Sequence, residues 1–400
     1  MRWILALAAL GGSPVAAADF KVTPSLDVRL RYEGVDQDGL PRNAEAVTLR
    51  ARPGVQLGSG PWSLLAEAEG TLAINEDYNS GLNGRTAFPL VGDPENIEIN
   101  RLQLQYRGLP KTIVTAGRQR VNLEDQRFVG AVGWRQNEQT FDAARVEWSG
   151  IKGLKADVTY SWSARTIWGV DGAGARQQAI SGDNVFALLS YQTPVGALSG
   201  FAYLIDQDEA ILSGFRLSSQ TYGLRLSGSY ALSPAAKLTY AASYARQSDM
   251  HRNPSDYAAD YWLGEAGLEL HGFKLGASYE ILGADEGIAL TSVQTPLATL
   301  HKFNGWADKF LTTPPNGLRD LYASAGYGWK KLGALDAVTL QAIYHRFDSD
   351  RLDMHYGNEV DLLASTKWKR FTFTAKYTAY DADDFATDTS KFWLSVECTY

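Results

Sequence analysis

The chain has 400 residues, of which 12% are aromatic (20 Tyr, 11 Trp) and 21% charged, with 38 Gly, one Cys and a net charge of -7. That aromatic and aliphatic content excludes a disordered chain, and one Cys with five His excludes a disulfide framework and a Cys/His zinc module. The acidic balance speaks against nucleic-acid binding, which needs a basic footprint.

The first element is an address. Met1-Arg2, the apolar run from Trp3 to Leu10 and the small residues Ala16-Ala17-Ala18 have the order of a secretory signal peptide. Residues 1–18 are therefore expected to be removed, leaving 19–400 as one exported domain. No later stretch has the roughly 18 apolar residues of a spanning helix, a test that is blind to strands.

Period-two alternation then runs through the chain. Leu26, Val28, Leu30 and Tyr32 oppose Asp27, Arg29, Arg31 and Glu33. Leu154, Ala156, Val158, Tyr160 and Trp162 oppose Lys155, Asp157, Thr159, Ser161 and Ser163. Val338, Leu340, Ala342 and Tyr344 oppose Thr339, Gln341 and His345. Phe371, Phe373, Ala375, Tyr377 and Ala379 oppose Thr372, Thr374, Lys376 and Thr378. The last run sets Phe392, Leu394, Val396, Cys398 and Tyr400 against Trp393, Ser395, Glu397 and Thr399. Alternation over 8–10 residues marks half-buried strands. Gly- and Pro-bearing separators at 108–110, 150–153, 194–196, 233–234 and 330–333 read as tight turns, and longer connections fall at 75–96, 120–138, 166–182, 249–258 and 284–318.

About 18 strands, within a range of roughly 16–20, follow from this spacing. The second face is polar on nearly every strand, so no second sheet can pack dry against it. Aromatics such as Tyr32, Tyr106, Trp148, Tyr191, Tyr230 and Trp329 sit at strand ends, as a membrane girdle requires. Lipid admits only helices or closed barrels, since every backbone group must be paired internally. The expectation is an all-β, single antiparallel transmembrane barrel in a bacterial outer membrane, with short periplasmic turns and long extracellular loops.

Arginine is concentrated in the first third. By parity Arg29, Arg31, Arg50, Arg52, Arg101, Arg107 and Arg145 face the lumen. Arg118 and Arg120 share the parity of Val114 and Ala116, which places them above the lipid band or after a bulge, and Arg127 and Arg135 lie in a long loop. Guanidinium groups grip carboxylates bidentately, so a wall of them suits anionic or carbohydrate solutes. Asp27, Glu33, Glu67, Glu69, Glu98, Asp142 and Glu147 share this half, so the arginines equally form ion pairs that fill the barrel. His251, His271, His301, His345 and His355 are scattered without metal-ligand spacing, and no nucleophile–base spacing stands out. A channel rather than an enzyme is expected, with no cofactor and no metal, and diffusive transport since no phosphate-binding loop occurs.

Two segments are richer in Trp, Phe, Arg and Asp than ordinary exposed loops: D-Q-R-F-V-G-A-V-G-W-R-Q-N-E-Q-T-F-D-A at 125–143 and T-L-H-K-F-N-G-W-A-D-K-F-L-T-T-P-P-N-G-L-R-D-L-Y at 299–322. With Gly117-Arg118-Gln119 and the terminal K-F-W-L-S-V-E-x-x-Y, they resemble the alginate export family of outer-membrane barrels over nearly the whole mature chain. That resemblance implies an 18-stranded monomer with an arginine-lined pore exporting a polyuronate. Arg118, Arg120, Arg127 and Arg135 would join the lumen arginines. Trp134, Phe141, Trp306 and Phe310 would form a loop constriction, or wedge an inward loop against the wall. A general or nutrient-uptake porin and a non-conducting adhesion barrel share the same pattern. Composition is also compatible with a trimer. Tyr400 would present the last strand to the barrel assembly machinery, and the outer face would meet lipid.

Overall fold

The computed structural model describes residues 21–400; the signal-peptide segment at 1–18 lies outside the described residues. Among them are eighteen strands: β1 (Lys21–Gln37), β2 (Ala44–Ser59), β3 (Trp62–Asp77), β4 (Asn96–Tyr106), β5 (Thr112–Gln119), β6 (Thr140–Trp148), β7 (Leu154–Arg165), β8 (Ala179–Thr193), β9 (Gly196–Ile205), β10 (Ser219–Ser233), β11 (Ala236–Asp249), β12 (Ala258–Leu270), β13 (Phe273–Leu282), β14 (Leu318–Trp329), β15 (Ala337–Asp348), β16 (His355–Trp368), β17 (Phe371–Ala382) and β18 (Thr389–Thr399). Each pairs antiparallel with its chain neighbours, and β1 pairs with both β2 and β18, closing the sheet into a barrel. Closure leaves no strand edge, so every backbone group in the membrane has a partner.

The alternation decides what faces where. Outward positions carry exposed Leu30, Leu64, Ile99, Leu104, Leu189, Leu224, Leu275 and Leu321, whereas their sequence neighbours point inward. Aromatic pairs stand at both margins of this apolar band. Trp62–Tyr106 and Phe273–Tyr327 lie beside the short turns, and Tyr244–Trp262 lies near the long loops, with ring centroids 4.4, 4.6 and 4.4 Å apart. Their amphipathic rings suit the lipid–water boundary.

The longest loops all lie at one end of the barrel. Turns such as 60–61, 194–195, 271–272 and 369–370 close one end, and the connections at 78–95, 120–139, 166–178, 206–218 and 283–317 close the other. The connection at 206–218 is an addition to the long loops read from the sequence. It carries a single 3-10 turn, Ser213–Phe215.

Strand regularity breaks at a few positions. Gly117 in β5 has φ +109°, and a Cβ there would meet the Leu102 carbonyl oxygen at 2.3 Å, so only glycine fits. Register shifts at Glu67/Ala68, Asp142/Ala143 and Ser161/Ser163 mark bulges in the neighbouring strands.

Candidate functional site

Two loops turn inward and fill the outer half of the lumen: the third (120–139) and the seventh (283–317). They join each other through backbone bonds, Gly130 N–H to the Leu297 carbonyl (2.9 Å) and Thr299 N–H to the Gln126 carbonyl (3.1 Å). Beneath them an apolar cluster forms where Phe128 meets Phe201, Tyr203 and Tyr261, with centroids 5.2–5.7 Å apart. Phe310 wedges the seventh loop against Phe347 (4.5 Å) and Phe385 (5.3 Å).

The wall holds the third loop by its backbone. Arg29 donates to the Trp134 carbonyl (2.9 Å), the Gly133 carbonyl (3.2 Å) and the Gln136 side chain (2.9 Å). Arg31 donates to the Trp134 carbonyl (2.6 Å) and pairs with Asp93 of the second loop. Arg52 donates to the Gln136 carbonyl (3.0 Å) and pairs with Glu69. A loop inside a barrel must find partners for its carbonyls, because a buried unpaired one is costly. Guanidinium groups meet several at once.

The seventh loop is held by the opposite wall. Asn304 donates to Glu280 (2.7 Å), and Ala307 N–H donates to Glu359 (2.8 Å). Asp308 receives Arg135 of the third loop (2.9 Å) and Lys391 of β18 (2.9 Å). Burial, and secondarily the Lys376 ammonium, pushes the His301 imidazole down to about 3. It is therefore neutral at ordinary pH. Its Nδ1–H donates to Asp308 (2.7 Å), and its Nε2 accepts from Lys376 (2.8 Å). The Lys376 ammonium lies 3.6 Å from the Trp306 ring centroid, 4.0 Å from Trp134 and 5.2 Å from Trp393. One wall cation thus joins the tips of both loops.

Below the loops, toward the short turns, a cavity of about 520 Å³ is bounded by Arg29, Arg50, Arg52, Arg101 and Arg120. Asp27, Glu67, Glu138 and Glu397 share its lining, so five guanidinium groups face four carboxylates. The pairs are close: Arg101 with Glu67 at 2.5 Å, Arg120 with Glu138 at 2.5 Å, and Arg50 with Asp27. Across the lumen a second cavity of about 380 Å³ has the reverse balance. Asp125, Glu265, Glu269 and Glu280 line it with Lys274 and Lys302. Small residues (Gly267, Gly276, Ser324, Gly326) share the rest of its wall with Phe303, Trp306, Tyr322 and His345.

The alginate export family profile matches residues 20–378. The chain belongs to the alginate export family. Solved outer-membrane structures with the same fold include OccAB4 of Acinetobacter baumannii (15% identity, TM-score 0.70, covering 97% of this chain and 100% of that one). OpdQ (15%, 0.69, 95% and 98%) and OpdK (12%, 0.72, 95% and 98%), both of Pseudomonas aeruginosa, are also similar. No curated protein sequence matches. Family and fold make the protein an outer-membrane channel for solutes.

In this alginate export protein the expected site residues separate into groups. Arg29, Arg50, Arg52, Arg101 and Arg120 border the cavity. Arg145 faces the lumen near the short turns, paired with Asp157. Arg31, Arg127 and Arg135 are buried among the loops and pack them; Arg127 binds Glu280 (2.8 Å) and Asn304 (3.0 Å). Arg118 is corrected: its outward parity holds, and it pairs with Asp142 on the outer face (2.8 Å), away from the lumen. Arg107 lies beyond the end of β4, in an exposed short turn rather than within the pore. Phe141 belongs to β6, not to a loop, and packs edge-on to Phe186 at 5.8 Å. Phe310 wedges the loop instead of facing an opening, while Trp134 and Trp306 enclose Lys376. Sequence reasoning missed Lys376, Lys391 and Trp393, whose lumen parity was readable in the last two strands.

Proposed function

We propose that the protein passes carboxylated solutes, sugar acids foremost, by passive diffusion along the arginine wall of β1 to β4. The observation that carries this reading is the 520 Å³ cavity, in which five guanidinium groups are set among four side-chain carboxylates. Because each guanidinium already touches an acid, an incoming carboxylate exchanges partners instead of meeting a bare charge. Such weak, repeated contacts permit release as well as entry.

The family's description supports a polyuronate chain as cargo. The two inward loops, pinned on both walls, favour a smaller carboxylated solute as a second reading. A structure of OpdK with vanillate, an aromatic carboxylate, gives a precedent in the same fold. Residues 1–18 serve as the cleaved export signal, and the exposed terminal Tyr400 marks the last strand for barrel assembly. The apolar band meets lipid.

The test is flux from proteoliposomes. Oligouronates should leave faster than neutral oligosaccharides of equal length, and the difference should shrink in Arg50→Gln with Arg101→Gln. Equal rates for charged and neutral sugars would sink the proposal.

A further inference from the structure

The short-turn end of the barrel is strongly basic. Its connections (60–61, 107–111, 149–153, 194–195, 234–235, 271–272, 330–336 and 369–370) contain seven Lys or Arg and one acid, Asp336. The seven are Arg107, Lys111, Lys152, Lys330, Lys331, Lys369 and Arg370, and all are exposed. Among the described residues none of them has an ion-pair partner within 4 Å, whereas the lumen arginines of β1, β2 and β4 all do. The opposite end is reversed: the nine long-side connections hold nineteen Asp or Glu against eleven Lys or Arg. Short turns face the periplasm. The molecule therefore has a basic periplasmic mouth and an acidic outer one.

The basic mouth leads directly onto the arginine wall. Arg107, Lys111 and Lys155 of β7 border a recess of about 490 Å³ with Glu147 and Asp157, both acids within reach of Arg145. Arg107 continues the inward parity of Arg101, Gln103 and Gln105 in β4.

We propose that this rim is an electrostatic funnel that captures anionic solutes from the periplasmic side and makes the channel asymmetric, favouring outward entry of anions. Charge of one sign at a mouth raises the local concentration of the opposite ion and its capture rate. Opposite charge at the far mouth repels the same ion there. No energy source is involved, so the asymmetry is one of capture rate and conductance, and the equilibrium across a symmetric solution is unchanged. The solute part rests on the anionic cargo proposed above; the salt part does not.

The experiment uses bilayers with channels inserted in one orientation, checked by impermeant maleimide labelling of Asp353→Cys in a long-side loop. In plain KCl at about 0.1 M, where the Debye length is about 10 Å, current should be larger when the short-turn compartment is negative. At about 1 M, where it is about 3 Å, the current should become symmetric. Oligouronate should block about tenfold faster from the short-turn side at the lower salt, within the range electrostatic steering gives. Lys330→Gln, Lys331→Gln, Lys369→Gln and Arg370→Gln together should remove most of both effects. A symmetric wild-type current at 0.1 M would overturn the funnel, and needs no variant to fold. Block at equal rates from both sides would overturn it while leaving the anionic cargo intact. Rectification without any block would uphold the funnel and reject the cargo.

Discussion

Lys376 bridges the tips of both inward loops, and replacing it with Met isolates that contact. The exchange keeps an unbranched stem and removes the ammonium from Trp306 (3.6 Å), Trp134 (4.0 Å) and the His301 Nε2 (2.8 Å). Two desolvated cation–π contacts contribute about 2 kcal/mol each. The hydrogen bond from a charged donor adds about 1.5–3 kcal/mol. Holding an ammonium out of water costs several kcal/mol and offsets much of this total. A net loss of about 3 kcal/mol moves the docking equilibrium of the loop tips roughly a hundredfold toward release. Single-channel recording should then show higher mean conductance with frequent open–closed steps, and protease should cut the third and seventh loops sooner. Lys376→Arg, which keeps a cation between the rings, should resemble the native channel far more closely. Native conductance and native protease resistance in Lys376→Met would mean instead that the loops are held without the ammonium.

Other outcomes follow from the same contacts. Arg31→Gln removes the partner of buried Asp93 and a bond to the Trp134 carbonyl, so it should cost about 3 kcal/mol or more, as breaking a buried pair does, read as a lower thermal unfolding temperature in detergent. Arg118→Gln, on the outer face with Asp142, should leave ion selectivity at the native value; a changed reversal potential would place that side chain in the lumen after all. Acid should weaken the loop packing. The unfolded chain binds a proton at His301 below about 6.5, whereas the folded imidazole stays neutral down to about 3. The His301 contribution to stability is therefore lost as pH falls below 6.5, by up to about 1.4 kcal/mol per pH unit. His301→Gln should flatten that part of the pH dependence of unfolding.

The fold was readable because a barrel writes its two faces directly into alternate residues. Leu26 to Tyr32 against Asp27 to Glu33 needs no tertiary information, and the turn residues at 150–153 and 194–196 fall where strands end. Loops at 120–139 and 283–317 announced themselves by carrying core-type residues. What the sequence could not supply was register. Whether Arg101 meets Glu67 or Glu98 depends on a bulge at Glu67/Ala68, and that choice decides which charges are spent in pairs. Parity was correct for Arg118, while Arg120 re-enters the lumen only because the chain leaves β5 and bends inward to Glu138. The lysine clasp was hidden for a different reason. Lys376, Trp134 and Trp306 come from three distant stretches, and only the folded loops bring them together.

Passage of anions along the arginine wall is tested most directly by the reversal potential under a salt gradient, with and without oligouronate. Anion preference is expected, with block by oligouronate and erosion of both in Arg50→Gln and Arg101→Gln. A cation preference that oligouronate leaves unchanged would contradict it.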